Sequence, residues 1–145
     1  LDGKLEAAAG HESPRAEIEH VAQVLREVLM AHPPLAVALA GVSEQSDTGA
    51  RIGDRIVDAM ARMGLEGDDL VVHYQLLEHV VVGACLFDGD DAPDDWERRR
   101  RGYERIGARE FRAVARSGAS AQQVADAAFE AGVRLVLDAC ERRAG

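Results

Sequence analysis

Aromatic side chains are scarce in this sequence. Its 145 residues include three Phe, two Tyr and one Trp, although 47% of the chain is hydrophobic. The interior must therefore be built mainly from aliphatic side chains. Only two cysteines are present, Cys85 and Cys140, and both lie in apolar segments that read as helix. We expect reduced thiols in the core of a cytosolic protein rather than a disulfide framework.

We also find no targeting segment and no membrane-spanning segment in the sequence. No signal peptide is recognised at the start of the chain, and no apolar run reads as long enough to cross a bilayer. We therefore expect a cytoplasmic protein with no membrane partner.

Net positive charge is absent as well, because the formal charge is −9 at pH 7. Proteins that bind nucleic acid present clustered Lys and Arg side chains to the phosphates. The basic run from Arg98 to Arg101 has acidic residues around it, and we interpret it as an intramolecular salt-bridged face. This chain is therefore not expected to bind duplex DNA by itself.

Fingerprints of catalysis and of metal binding do not occur. There is no Gly-rich phosphate loop and no nucleophile elbow, so we expect neither an enzyme nor a cofactor. The acidic segment 88–95 fails as a calcium-binding EF-hand, because Pro93 replaces the required Gly and Arg99 replaces the final Glu. His73 and His79 are six residues apart, which places them on different faces of a helix. We interpret them as core or interface residues that make one hydrogen bond each, not as zinc ligands.

Helical periodicity, by contrast, runs through nearly the whole chain. Ser13 followed by Pro14 is typical of a helix start, Ser120 with Gln123 matches the capping box, and Gly64 is placed as a C-terminal cap. The pattern predicts an all-α domain of several helices. We predict them over about 14–31, 34–41, 47–63, 68–87, 93–116 and 120–142, the first with a polar face of Glu19, Gln23, Arg26 and Glu27.

Two of these helices are apolar on more than one side. Segments 68–87 and 120–142 offer more apolar surface than a single copy of the chain should need to bury. A symmetric homodimer, in which two helices from each copy form a four-helix bundle, would cover the excess. We predict an interface that includes His79, Gly83, Ala128, Gly132, Leu135 and Ala139.

Three segments carry a resemblance to one known family. The closing run AAFEAGVRLVLDACERR resembles the last helix of the tetracycline-repressor (TetR) family, with the likeness carried by Phe129, Glu130, Gly132, Leu135 and Leu137. Two more segments, LREVLMAHPPLAVALAG and MARMGLEGDDLVVHYQLLEHVVVGACLFD, are similar to the family's pocket helices and to its long central helix. The resemblance implies the regulatory domain of a transcriptional repressor.

The family resemblance also implies how the chain is organised. Residues 1–9 would be the remnant of a helix connecting to a missing helix-turn-helix head, and residues 10–145 would be the effector-binding and dimerisation domain. DNA would then be contacted only through that head. In the family's archetype a His coordinates a metal ion, and the best-matching position here is Leu39. The resemblance therefore implies no metal site.

An effector cavity is implied among the segments 14–31, 47–63 and 68–87. An apolar wall with a few polar groups suits a small, mostly apolar molecule. We predict a lining of Val21, Leu25, Ile56, Val57, Met60, Val71, Tyr74, Gln75 and Glu78. The alternative is a ligand-free helical adaptor that binds other proteins, and a cavity of roughly 300 Å³ or more would favour the sensor.

Overall fold

Six helices make up the parts of the chain that the computed structural model describes, which are residues 13–41, 47–88, 92–106, 116 and 118–144. No strand occurs in these ranges, which confirms the all-α prediction. The predicted connecting helix over residues 1–9 lies outside them. The helices are α1 (Pro14–Ala31), α2 (Pro33–Gly41), α3 (Asp47–Arg62), α4 (Gly67–Phe87), α5 (Ala92–Ile106) and α6 (Ala121–Ala144).

The predicted helix over 93–116 is only partly recovered, as α5 ends at Ile106 and the segment 107–115 lies outside the described residues. Arg116 is in a turn.

Local capping chemistry sets several helix ends. The Ser13 hydroxyl accepts a hydrogen bond from the backbone N–H of Ala16 at 3.2 Å and so starts α1. Before α6, the hydroxyl of Ser120 accepts from the N–H of Gln123 at 3.2 Å, and the Gln123 side chain accepts from the N–H of Ser120 at 2.9 Å. This reciprocal pair is the predicted capping box. Gly64 follows α3 with φ of 101°, a conformation that side chains rarely adopt.

Helix α4 lies at the centre of the fold and packs against α1, α2, α3 and α6. Its buried residues are His73, Leu77, Val81 and Cys85. It is also the one helix in the described ranges that is long and apolar enough to cross a membrane. The expectation that no apolar run reaches this length is therefore wrong. Four other helices pack against it, but only 22% of its most apolar 18-residue window is buried in one copy of the chain.

The two thiols and the buried histidine follow the sequence prediction. Cys85 and Cys140 are free and buried, and burial raises the pKa of both thiols. The Nδ1–H of His73 donates to the carbonyl oxygen of Asp69 at 2.6 Å, so its one hydrogen bond closes a turn of its own helix. His79 is exposed.

Helices α4 and α6 make their close contact within one chain, at Gly132. A Cβ atom added to Gly132 would lie only 2.9 Å from Cγ1 of Val80. This glycine therefore admits the neighbouring helix of the same chain, and its predicted place in a dimer interface stays a prediction. Gly83 differs, because a Cβ there would meet nothing within 4 Å.

Arg26 corrects a second sequence prediction, which placed it on the solvent face of α1. The side chain is 5% exposed. Its guanidinium donates to Asp88 at 3.0 Å and to Asp126 at 3.1 Å, and it lies 4.7 Å from the ring centroid of Phe129. Two carboxylates and an aromatic face compensate the buried charge, so Arg26 joins α1 to the end of α4 and to α6.

Replacing Arg26 with Ala should lower the free energy of unfolding by about 3 kcal/mol, since it leaves the half-buried Asp88 carboxylate without its cation. Urea denaturation measures the loss. Arg15→Ala is the matched control, because Arg15 pairs with Glu19, Asp138 and Glu141 nearer the surface and should cost about 1 kcal/mol or less. Equal losses in the two variants would contradict the central role given to Arg26.

Gly132→Ala should destabilise the protein by about 1–3 kcal/mol, because the branched side chain of Val80 has little freedom to move away. The same denaturation experiment in a Val80→Ala background tests the cause. There the cost of Gly132→Ala should fall by more than half. An unchanged cost would show that the glycine is not required by the contact with Val80.

Candidate functional site

An apolar cavity of about 160 Å³ lies between α1, α2, α3 and α4. Amphipathic spacing turns the apolar sides of α1 and α3 toward it, while α2 and α4 are apolar on all sides. Helix α1 contributes Leu25 and Leu29, α3 contributes Ile52 and Ile56, and α4 contributes Leu77 among others. The volume is below the 300 Å³ expected of a sensor. It is close to the size of engineered apolar cavities of about 150 Å³ that hold benzene.

Three polar side chains are found among the residues that line the cavity: Thr48, Tyr74 and Glu78. Tyr74 and Glu78 are four residues apart on α4 and therefore lie one turn apart on the same face. The carboxylate of Glu78 accepts a hydrogen bond from the amide of Gln75 at 2.7 Å. The Thr48 hydroxyl accepts from Arg51 at 3.3 Å.

The Tyr74 side chain crosses the cavity wall from α4 to α3. A Cβ atom on Gly53 would lie 3.1 Å from the Tyr74 hydroxyl oxygen. Any larger residue at this position would crowd the phenol. Gly53 therefore makes room for the one aromatic side chain of the lining.

Four of the nine predicted lining residues do lie at the cavity: Leu25, Ile56, Tyr74 and Glu78. They lie on three helices, α1, α3 and α4, which are the three segments among which the cavity was predicted.

The other five predicted lining residues lie elsewhere. Val21 and Met60 are fully buried in the core, and Val57 is half-buried outside the lining. Val71 is 62% exposed. Gln75 is exposed and touches the cavity only through its hydrogen bond to Glu78.

Sequence reasoning missed the contribution of α2, whose Leu35 and Leu39 line the cavity. This short helix is apolar all round, so periodicity does not indicate which face is turned inward. It also missed Leu77 and Val81, for which the sequence indicated no role. Both are buried, and both also form part of the cavity wall.

Several large apolar side chains of α4 and α6 are exposed in one copy of the chain. Those that we call the outward face are Val72, Leu76 and Phe87 on α4 and Leu135 on α6. Phe87 is 77% exposed and Leu135 67% exposed. Of the predicted interface residues, His79 and Ala128 are exposed, while Gly83 and Ala139 are half-buried.

A second depression, on α5, is of a different kind. The described residues that line it, Glu97, Arg98, Arg101 and Arg105, all belong to this one helix. Arg100 pairs with Glu97 at 2.7 Å and with Glu104 at 3.5 Å, as expected of a salt-bridged face. Among the described residues, no group of His, Cys, Asp and Glu side chains is placed to hold a metal ion.

Comparison with known proteins identifies the family. No curated protein and no solved structure matches the chain significantly. A family model does match: the tetracyclin repressor-like C-terminal domain, over residues 7–143. Domains of this family are regulatory, and they generally dimerise and bind small effectors. With a match over nearly its whole length and an all-α fold, the chain belongs to the tetracyclin repressor-like C-terminal domain family of transcription regulators.

Proposed function

We propose that this chain is the effector-sensing and dimerisation domain of a cytoplasmic transcriptional repressor. The observation that carries the proposal is that α4 forms both a wall of the cavity and most of the outward face. One helix thus connects a place where a small molecule fits with a surface that needs a partner.

The lining of the cavity supports a small, mostly apolar effector. Aliphatic side chains surround three polar groups, which is the composition of small-molecule sites. A volume of about 160 Å³ suits a molecule with a single ring or a short alkyl chain. The small volume is also the one observation that favours the alternative function, a ligand-free adaptor.

The outward face supports a homodimer. Val72, Leu76 and Leu135 are large apolar side chains that an isolated chain leaves in water. If two copies pack through α4 and α6, these four helices form a bundle that buries the surface on both copies.

Signalling requires the effector to prefer one arrangement of the helices over another. Cavity residues Leu25 and Leu29 belong to α1, the described helix nearest the start of the chain. In our proposal, an effector that contacts α1 changes its position. The change reaches DNA only through an N-terminal helix-turn-helix module connected by residues 1–9, since this chain has a net charge of −9.

A thermal-shift screen of single-ring and short-chain apolar compounds tests the cavity. A compound at a hundred times its dissociation constant should stabilise the folded protein by about 2.7 kcal/mol. Tyr74→Ala should reduce the shift, because it removes the aromatic wall. Val72→Ala, on the outward face of the same helix, should leave it unchanged. Hits that shift both variants equally would remove Tyr74 from the site, and a screen without hits would favour the adaptor.

Leu135→Glu should convert the dimer to a folded monomer, because it places a charge in the proposed interface. Light scattering at micromolar concentration gives the mass, and circular dichroism shows that the helices remain. Val37→Glu is the control: Val37 is 63% exposed on α2, outside the outward face, and this variant should stay dimeric. A monomeric wild-type protein would contradict the proposed interface.

A further inference from the structure

We propose that the effector is a small apolar cation, an amine or ammonium compound whose positive group binds between the carboxylate of Glu78 and the ring of Tyr74. This inference rests on the proposed role of the cavity as an effector site. It adds the charge of the ligand, which composition and periodicity leave open.

The charge of the lining is the first argument. Among the described residues that line the cavity, Glu78 is the only acidic one, and none of them is Lys, Arg or His. A carboxylate in an otherwise apolar wall repels an anionic ligand and attracts a cationic one, and the low polarity around it strengthens both effects. Arg51, which donates a hydrogen bond to the Thr48 hydroxyl of the lining, is itself exposed.

The partners of Glu78 give the second argument. The neutral side-chain amide of Gln75 donates a hydrogen bond to one oxygen of the Glu78 carboxylate, Oε2. Within the residues that the structure describes, no Lys, Arg or His forms an ion pair with Glu78. Other half-buried carboxylates of this fold have one: Glu17 pairs with Arg55, and Asp88 pairs with Arg26. Glu78 therefore keeps an acceptor for a charged donor.

Tyr74 gives the third argument. It lies one turn before Glu78 on the same wall, and its hydroxyl end lies next to Gly53 of α3. A cation near an aromatic face is attracted by the negative charge of the ring. One positive group can thus interact with the carboxylate and with the ring, while Leu25, Leu29 and Ile56 surround the apolar body of the ligand.

Three probes of nearly equal size and different charge test the inference: benzylamine, benzyl alcohol and benzoate. Their affinities are measured by isothermal titration calorimetry near neutral pH. We expect benzylamine to bind the wild-type chain about tenfold more tightly than benzyl alcohol, because one charge-assisted hydrogen bond contributes about that factor to the affinity. Benzoate should bind most weakly.

Glu78→Gln keeps the size of the side chain and removes its charge. In this variant the preference for benzylamine over benzyl alcohol should fall below about threefold, while the affinity for benzyl alcohol changes little. Glu130→Gln, at an exposed position on α6, makes the same change in net charge outside the cavity. It should keep the tenfold preference.

The possible failures are distinguishable. If benzyl alcohol binds the wild type as tightly as benzylamine, the cation inference is overturned while the cavity remains an effector site. The inference is equally overturned if Glu130→Gln loses the preference as fully as Glu78→Gln. If none of the three probes binds at millimolar concentration, both the cation inference and the proposed effector function fail.

Discussion

Helix α4 is apolar around its whole circumference, and the remaining helices are arranged by how its sides are covered. Leu77 and Val81 pack into the core, where they also close the cavity. Val80 meets Gly132, which lets α6 lie close alongside. Leu76 and Phe87 stay exposed in one copy of the chain. Because α4 carries apolar side chains on all of its sides, the apolar surface that one copy leaves uncovered favours a partner.

Ion pairs connect α1, which forms another wall of the cavity, to its neighbouring helices. Arg26 lies on α1 next to Leu25 in sequence and joins this helix to α4 and α6 through Asp88 and Asp126. At its other end, α1 is held to α3 by Glu17. Burial alone would raise the pKa of Glu17, but hydrogen bonds from Arg62 and Arg55 keep it below its usual value. A ligand that moves α1 therefore acts on charged contacts at both ends.

The sequence predicts features that depend on near neighbours and misses those that depend on packing partners. The capping residues Ser13 and Ser120 act within three residues of themselves, so the helix starts could be predicted. From the sequence alone, Arg26 is predicted to be a surface residue. Only the packing of α6 brings Asp126 and Phe129 into contact with it. Gly132 reads as a close-contact residue, but only the fold shows that Val80 of the same chain is the contact.

The central claim is that a second copy of the chain covers the outward face. Hydroxyl-radical footprinting of the purified protein tests this claim most directly. Phe87 and Leu135, which are 77% and 67% exposed in one copy, should be labelled slowly after correction for intrinsic reactivity, because the partner copy excludes water from them. Val37, 63% exposed on α2, is the internal reference and should be labelled rapidly. Labelling of Phe87 and Leu135 at the corrected rate of Val37 would contradict the account.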